Sequence, residues 1–167
     1  MQTISSKNTQ FYPAIIQDYL DGKLNAVADI KHGLNWAELK AKKEIKKASY
    51  THRSILVEVL QKQYQDTTTS KATQNNITDL GKSNTYTITT GHQLNLFSGP
   101  LYFLYKIIST INLASELKTK YPNSNFVPIY WMATEDHDFE EINYFNFKGK
   151  KFRWNKNSSG PVGRLST

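Results

Sequence analysis

Residues 85–133 read TYTITTGHQLNLFSGPLYFLYKIISTINLASELKTKYPNSNFVPIYWMA, and the order of textures in this stretch decides the fold. Thr85–Thr90 is a run of β-branched and aromatic residues that favours extended backbone. Gly91–Gly99 reads as a loop, and Pro100 stands where the first turn of a helix tolerates proline. Leu101, Leu104, Tyr105, Ile108, Ile111 and Leu117 then recur at helical spacing, predicting a helix over Leu101–Lys120 that Pro122 and Asn123 end. Phe126–Ala133 is a nearly continuous apolar run, the mark of a strand buried on both faces of a parallel sheet. Strand, helix, strand is a βαβ unit, whose crossover is almost always right-handed. The expected class is therefore α/β, a parallel sheet preceded by helices, with ligands seated beyond the carboxyl ends of the strands.

Two loops occupy that edge. The first, Thr90-Gly91-His92-Gln93 through Gly99-Pro100, carries two glycines that permit close approach or positive φ, and it leads into the free amides of a helix start. It matches neither GxxxxGK[ST] nor GxGxxG. A strand-to-helix turn with structural glycines explains it as readily as a ligand cradle does. The second, Glu135-Asp136-His137-Asp138-Phe139-Glu140-Glu141, packs five carboxylates and one imidazole into seven residues. Crowded carboxylates raise one another's pKa and can hold a cation or move a proton, and an imidazole between two aspartates can be fixed in one tautomer. The structural alternative has Asp138 as an N-cap, with Glu141 completing a capping-box-like pair and Glu140 favoured by the helix dipole. Capping needs only one of these groups, which leaves Asp136, His137 and Asp138 as candidates for chemistry. Residues so close in sequence seldom converge on one ion, so no metal is assigned. Lys106, alone on its helix, is expected to face solvent.

Outward from this unit the signals weaken. Pro13 can open a short helix with Ile15, Ile16, Tyr19 and Leu20 on one face, stopped by Asp21-Gly22. Trp36–Lys47 is helical in composition. Thr51–Gln65 is a stronger helix that Thr51 can cap, with Ile55, Leu56, Val59, Leu60 and Tyr64 in register. Asp66–Asn76 reads as a loop or a frayed helix end. Residues 1–84 are thus expected to form a mainly helical segment packed on a core that begins at residue 85.

With 38% hydrophobic and 13% aromatic residues the 167-residue chain is globular, and it carries more aromatic surface than one small domain readily buries. No run is long enough to span a membrane, and Met1–Gln10 lacks the apolar core of a secretory signal. The absence of cysteine excludes a disulfide or a thiolate nucleophile, and a cytoplasmic location is the default. The net charge of +7 comes largely from Lys40, Lys42, Lys43, Lys46 and Lys47 and from Lys148, Lys150, Lys151, Arg153 and Lys156. Neither group accompanies a nucleic-acid-binding motif, so a solvated surface or a field for anionic small substrates is the better reading.

TGHQLNLFSGPLYFLYKIISTINLASELK (residues 90–118) followed by FVPIYWMATEDHDFEEIN (residues 126–143) closely resembles the cysteine-adding enzymes of bacillithiol biosynthesis, the BshC family of cysteine ligases. That family has a TGQQ-type loop, an LFTGPLY helix start, a VPVFW strand and an EDHDFEE segment. Gly160-Pro161-Val162-Gly163-Arg164-Leu165 resembles its next stretch. The likeness is clear from Thr85 to Leu165 and weaker before. It implies a Rossmann-like core akin to nucleotidyl transferases, of which residues 85–167 are the first βαβ half. A homodimer through a C-terminal coiled coil outside these residues is implied as well.

The implied reaction joins L-cysteine to the amino group of glucosaminyl malate, with ATP or another adenine nucleotide as the cofactor that the fold suggests. Thr90, Gly91, His92, Gln93 and Gly99 would cradle substrate or phosphate, while Asp136, His137 and Asp138 would orient the amine or take its proton. His92 replaces the family's usual glutamine, so an amide-like hydrogen bond is expected of it rather than imidazole catalysis. The chain alone is expected to be inactive. A non-catalytic small-molecule-binding or assembly domain, and a metal-dependent hydrolase built on the acidic loop, are the competing readings.

Overall fold

The computed structural model describes residues 4–26 and 50–166, which divide into two compact units, Met1–Thr51 and His52–Thr167. The helix expected over Trp36–Lys47, with its lysines Lys40, Lys42, Lys43, Lys46 and Lys47, lies outside the described residues. In the first unit, α1 (Ser6–Thr9) and α2 (Ala14–Leu20) precede a 3-10 turn at Lys23–Ala26. Pro13 opens α2 and Asp21 closes it, as the sequence predicts. Lys23 bridges Asp18 at 2.7 Å and Asp21 at 3.3 Å, tying the turn back to that helix.

The second unit is built on β1 (Thr85–His92) and β2 (Asn125–Met132), which pair in parallel from Thr85↔Asn125 to His92↔Met132. The crossover is α5 (Leu101–Lys120), the predicted helix residue for residue. It buries Thr110, Ala114 and Leu117, three positions on one stripe, against the sheet. Before β1 come α3 (Arg53–Tyr64) and α4 (Lys71–Asp79). Arg53 donates to the carbonyl of Leu80 at 3.1 Å and joins the start of one helix to the end of the other.

Three expectations fail here for identifiable reasons. Thr51 does not cap α3: His52 holds the N-cap position and makes no side-chain cap bond. Residues 66–76 are not all loop, because Ser70 Oγ accepts the Thr73 amide at 3.2 Å and starts α4. Such a cap contributes about 1 kcal/mol, and burial of Ile77 and Leu80 anchors the far end. Nor is β2 buried on both faces along its length, since Trp131 and Met132 are 59% and 53% exposed. The crossover helix α5 packs broadly on the pair and α4 only weakly, so the sheet lacks the second full layer that would bury both faces.

After β2 the chain forms α6 (Phe139–Ile142) and the antiparallel hairpin β3 (Tyr144–Phe147) and β4 (Lys150–Arg153). Phe139, Ile142 and Val162 make a small core with Trp154 and Leu165 against it. The Phe139 and Trp154 rings meet edge to face at 5.1 Å. Val162 donates its amide to the carbonyl of Asp136 at 2.7 Å, and Gly163 donates to that of Thr134 at 2.9 Å. The segment at 160–165 therefore clamps the acidic loop from below. Among the described residues, no helix is long and apolar enough to cross a membrane.

Candidate functional site

Strand β1 continues two residues beyond the expected end, because Gly91 and His92 still pair with Trp131 and Met132. The first residue past the ladder is Gln93, only 7% exposed. Its amide nitrogen donates to Asp136 Oδ2 at 3.0 Å and to Glu141 Oε2 at 2.7 Å. Both amide hydrogens are thereby used, and two carboxylates from different elements meet on one neutral donor. This bridge joins the two loops at the carboxyl ends of the parallel strands.

Asp136 is held on its other side as well. Its Oδ1 accepts the backbone amide of Asp138 at 3.0 Å. That bond foremost, with the Gln93 amide and the neighbouring imidazole also contributing, holds its pKa below the ordinary 3.8. The crowding expected to raise carboxylate pKa values does not do so at this residue, because amide donors intervene. The expected capping box is absent too: Asp138 makes no side-chain cap bond, and Glu141 turns to Gln93 instead. Glu140 pairs with Arg153 and accepts from Asn143 at 3.3 Å, and Glu135 accepts the Trp131 indole hydrogen at 3.1 Å. His137 is not clasped between aspartates. Its side chain is 89% exposed, with Nδ1 3.8 Å from Asp136 Oδ1. Among the described residues no three His, Asp or Glu side chains gather in metal-ligand geometry, so the acidic loop offers the hydrolase reading no converged ligand set.

His92 serves the loop's architecture. Asn95 Nδ2 lies 3.0 Å from His92 Nδ1, and Tyr102 Oη lies 2.6 Å from Nε2. Nδ1 also lies 3.2 Å from the carbonyl oxygen of Gln93, to which Asn95 donates at 3.0 Å, so the ring, Asn95 and that carbonyl form one network. Both ring nitrogens are occupied, in keeping with a hydrogen-bonding role. Tyr130 donates to the carbonyl of His92 at 2.7 Å, and burial raises that phenol's pKa above 10.0, keeping it a neutral donor. Lys106 is exposed, as expected, and also donates to the carbonyl of Gly91 at 2.7 Å. Its stem carries the ammonium to the end of β1, where Gly91 forms the next-to-last rung of the ladder. Thr90 lines an open groove between β1 and α5 with Tyr102 and Lys106, rather than the Gln93 cluster.

Gly99 does what the sequence suggests. At φ 59° and ψ −150° it occupies a region open essentially to glycine. A Cβ there would lie 2.5 Å from Cβ and Cγ of Asn95. The turn it permits, at Leu96–Ser98, sets Phe97 opposite Phe145 of β3, ring centres 4.6 Å apart. With Glu141 they line a cavity of about 670 Å³. Glu141, Asn95 and Lys106 are thus the side chains that sequence reading left out of the site. The capping-box spacing gave Glu141 a sufficient structural explanation, and no local pattern marks the other two.

The family described as "Bacillithiol biosynthesis BshC, N-terminal Rossmann-like domain" matches residues 1–167. The chain belongs to the BshC family. It is 60% identical over 166 residues to a Flavobacterium johnsoniae protein named "Putative cysteine ligase BshC", covering 98% of this chain and 31% of that relative. A protein of the same name from Christiangramia forsetii is 53% identical over 171 residues, with 98% and 32% covered. One from Bacillus thuringiensis is 34% identical over 140 residues, with 83% and 26% covered. The chain spans about a third of the length of the first of these BshC relatives. Its α/β architecture with a parallel pair is that of the Rossmann-like BshC domain.

Proposed function

We propose that the protein containing this chain is a ligase that joins L-cysteine to the amino group of glucosaminyl malate in bacillithiol biosynthesis. The edge formed by Gln93, Asp136 and Glu141 would belong to its active site. The observation that carries the reading is the position of this cluster, where ligands of parallel α/β sheets bind, within a chain that matches BshC relatives along its length. In this reading Thr90, Gly91, His92 and Gly99 shape the substrate edge, Gln93 and Asp136 fix its polar groups, and His137 and Asp138 stand at its rim. A carboxylate held low is a weak base, so Asp136 orients rather than accepts a proton. His137, standing in solvent, is the better carrier for the proton that leaves the amine. Residues 1–167 by themselves are inactive in this reading. It carries with it a cytoplasmic location and a homodimer formed through a coiled coil beyond residue 167.

These residues do not fit a nucleotide phosphate. Gln93 has given both amide hydrogens to carboxylates, and Asp136 and Glu141 place negative charge where a phosphate would lie. No step through ATP is drawn from this edge.

Asp136→Asn tests the assignment. The neutral amide cannot accept from both Gln93 and the Asp138 backbone without exposing one of them to its own NH2 group. Bacillithiol formation in cells relying on the full-length variant is expected to fall about 100-fold, as when a positioned group shifts by roughly 1 Å. A wild-type rate would remove Asp136 from the site.

A further inference from the structure

Strand β1 has two edges, and only one of them is paired. The amides of Asn125 and Ala133 donate to the carbonyls of Asn84 and His92, and the parallel register between those points is unbroken. Backbone groups alternate along a strand, so even-numbered residues of β1 face β2, while Thr85, Thr87, Thr89 and Gly91 face outward. Lys106 takes the outward carbonyl of Gly91. The amides of Thr87 and Thr89 have no partner among the described residues. They form a row of unpaired groups of the kind that recruits another strand.

The outer edge of β2 is a poorer template. The same alternation turns Phe126, Pro128, Tyr130 and Met132 outward there, and proline has no amide hydrogen to give. Thr134 already donates to the Met132 carbonyl at 2.6 Å. Proline sits in strands where the N–H side is left unpaired, so β2 carries the mark of an outer edge and β1 does not. Beside β1, the exposed Tyr105 and Leu113 of α5 line an open groove with Ile88 and Thr89. Two strands alone make a sheet of marginal stability.

We propose that a strand from the part of the protein beyond residue 167 pairs in parallel with the outer edge of β1 at residues 85–89 and packs its side chains on Tyr105 and Leu113. Residues 1–167 match a domain described as N-terminal and span 31% of a relative to which they are 60% identical, so most of such a chain is available to supply the strand. An occupant on the same chain meets the edge at every protein concentration, as a marginal sheet requires. With its outward carbonyl on Lys106, Gly91 offers no acceptor, and the new ladder ends at Thr89. The added strand therefore parts from β1 just short of Gln93, and its following loop reaches the candidate site from the side of Thr90 and Lys106. This pairing stands whichever reaction the protein performs.

Residue-resolved hydrogen exchange of the full-length protein reads the edge directly. On a free edge protection alternates along β1, slow at Tyr86 and Ile88, which face β2, and fast at Thr87 and Thr89. With the strand in place, Thr87 and Thr89 should exchange at least about 100-fold more slowly than free amides, and dilution should not change this. Alternating protection would overturn the pairing. Protection that fades on dilution would overturn it as well, by giving the edge to a second copy. Photo-crosslinking identifies the occupant. With benzoylphenylalanine in place of Tyr105 in the full-length protein, the crosslinked peptide should come from beyond residue 167 of the same chain. A crosslink joining two chains, or one reaching residues 1–167 alone, would contradict the assignment.

Discussion

Replacing Gln93 with leucine is expected to abolish at least 99% of bacillithiol formation by the full-length protein while leaving it folded. Leucine matches the buried volume of the glutamine body but donates nothing. Asp136 Oδ2 and Glu141 Oε2, each now on one amide nitrogen at 3.0 and 2.7 Å, would face one another without a donor between them. Neither carboxylate is buried, so the loss of the shared donor and their mutual repulsion act on position rather than on folding. Both carboxylates keep some contact with water, so they move apart rather than unfold the domain, and solvent screens much of the repulsion. The motion itself damages function, since displacement of roughly 1 Å in a positioned group can lower turnover about 100-fold. Thiol analysis of complemented cells reads the activity, and near-UV circular dichroism of the purified variant reads the fold. Gln93→Glu should be at least as harmful, because it brings a third carboxylate to the same point.

The second large effect is expected from Gly163→Val. The Gly163 amide donates to Thr134, and a Cβ at this position would stand 2.6 Å from Thr134 Cβ and 2.9 Å from its carbonyl oxygen. The nearer obstacle is a Cβ, fixed by its backbone, and the second is backbone itself, so the 160–165 segment must lift away. Overpacking of this kind costs about 1–3 kcal/mol, and the bonds from Gly163 to Thr134 and from Val162 to Asp136 add about 1 kcal/mol each. Hydrogen exchange at the Val162 and Gly163 amides should speed up about 100-fold, the equivalent of about 3 kcal/mol. The loop bearing Asp136 loses its clamp, so bacillithiol formation should fall with it.

What could be read from the residues beforehand was the part with strong periodicity. The α5 helix and its flanking parallel strands follow from a long amphipathic run between two β-rich segments, and no tertiary contact is needed to see them. The short helix α4 was hidden by its Thr- and Asn-rich composition, which disfavours helix unless a cap and a buried end offset it. Ser70 and the burial of Ile77 and Leu80 are that offset. The extension of β1 through Gly91 and His92 was masked by the glycine, whose usual meaning is a turn. Pairing with Trp131 and Met132 overrides it.

The site was legible as two loops at one sheet edge but not as a bonded cluster. The link between Gln93 and Glu141 spans 48 positions, and no local pattern encodes it. Lys106 illustrates the same limit. A single helical lysine carries no sign of its target, and only the packing of α5 on β1 brings it to Gly91.

The low-molecular-weight thiol profile of the source cell, measured by mass spectrometry with and without the complete gene, bears most directly on the ligase reading. Loss of bacillithiol with accumulation of glucosaminyl malate, reversed by the wild-type gene, is the predicted result. An unchanged profile in cells lacking the gene would contradict the account and leave this domain as a binding or assembly module on a Rossmann-like fold.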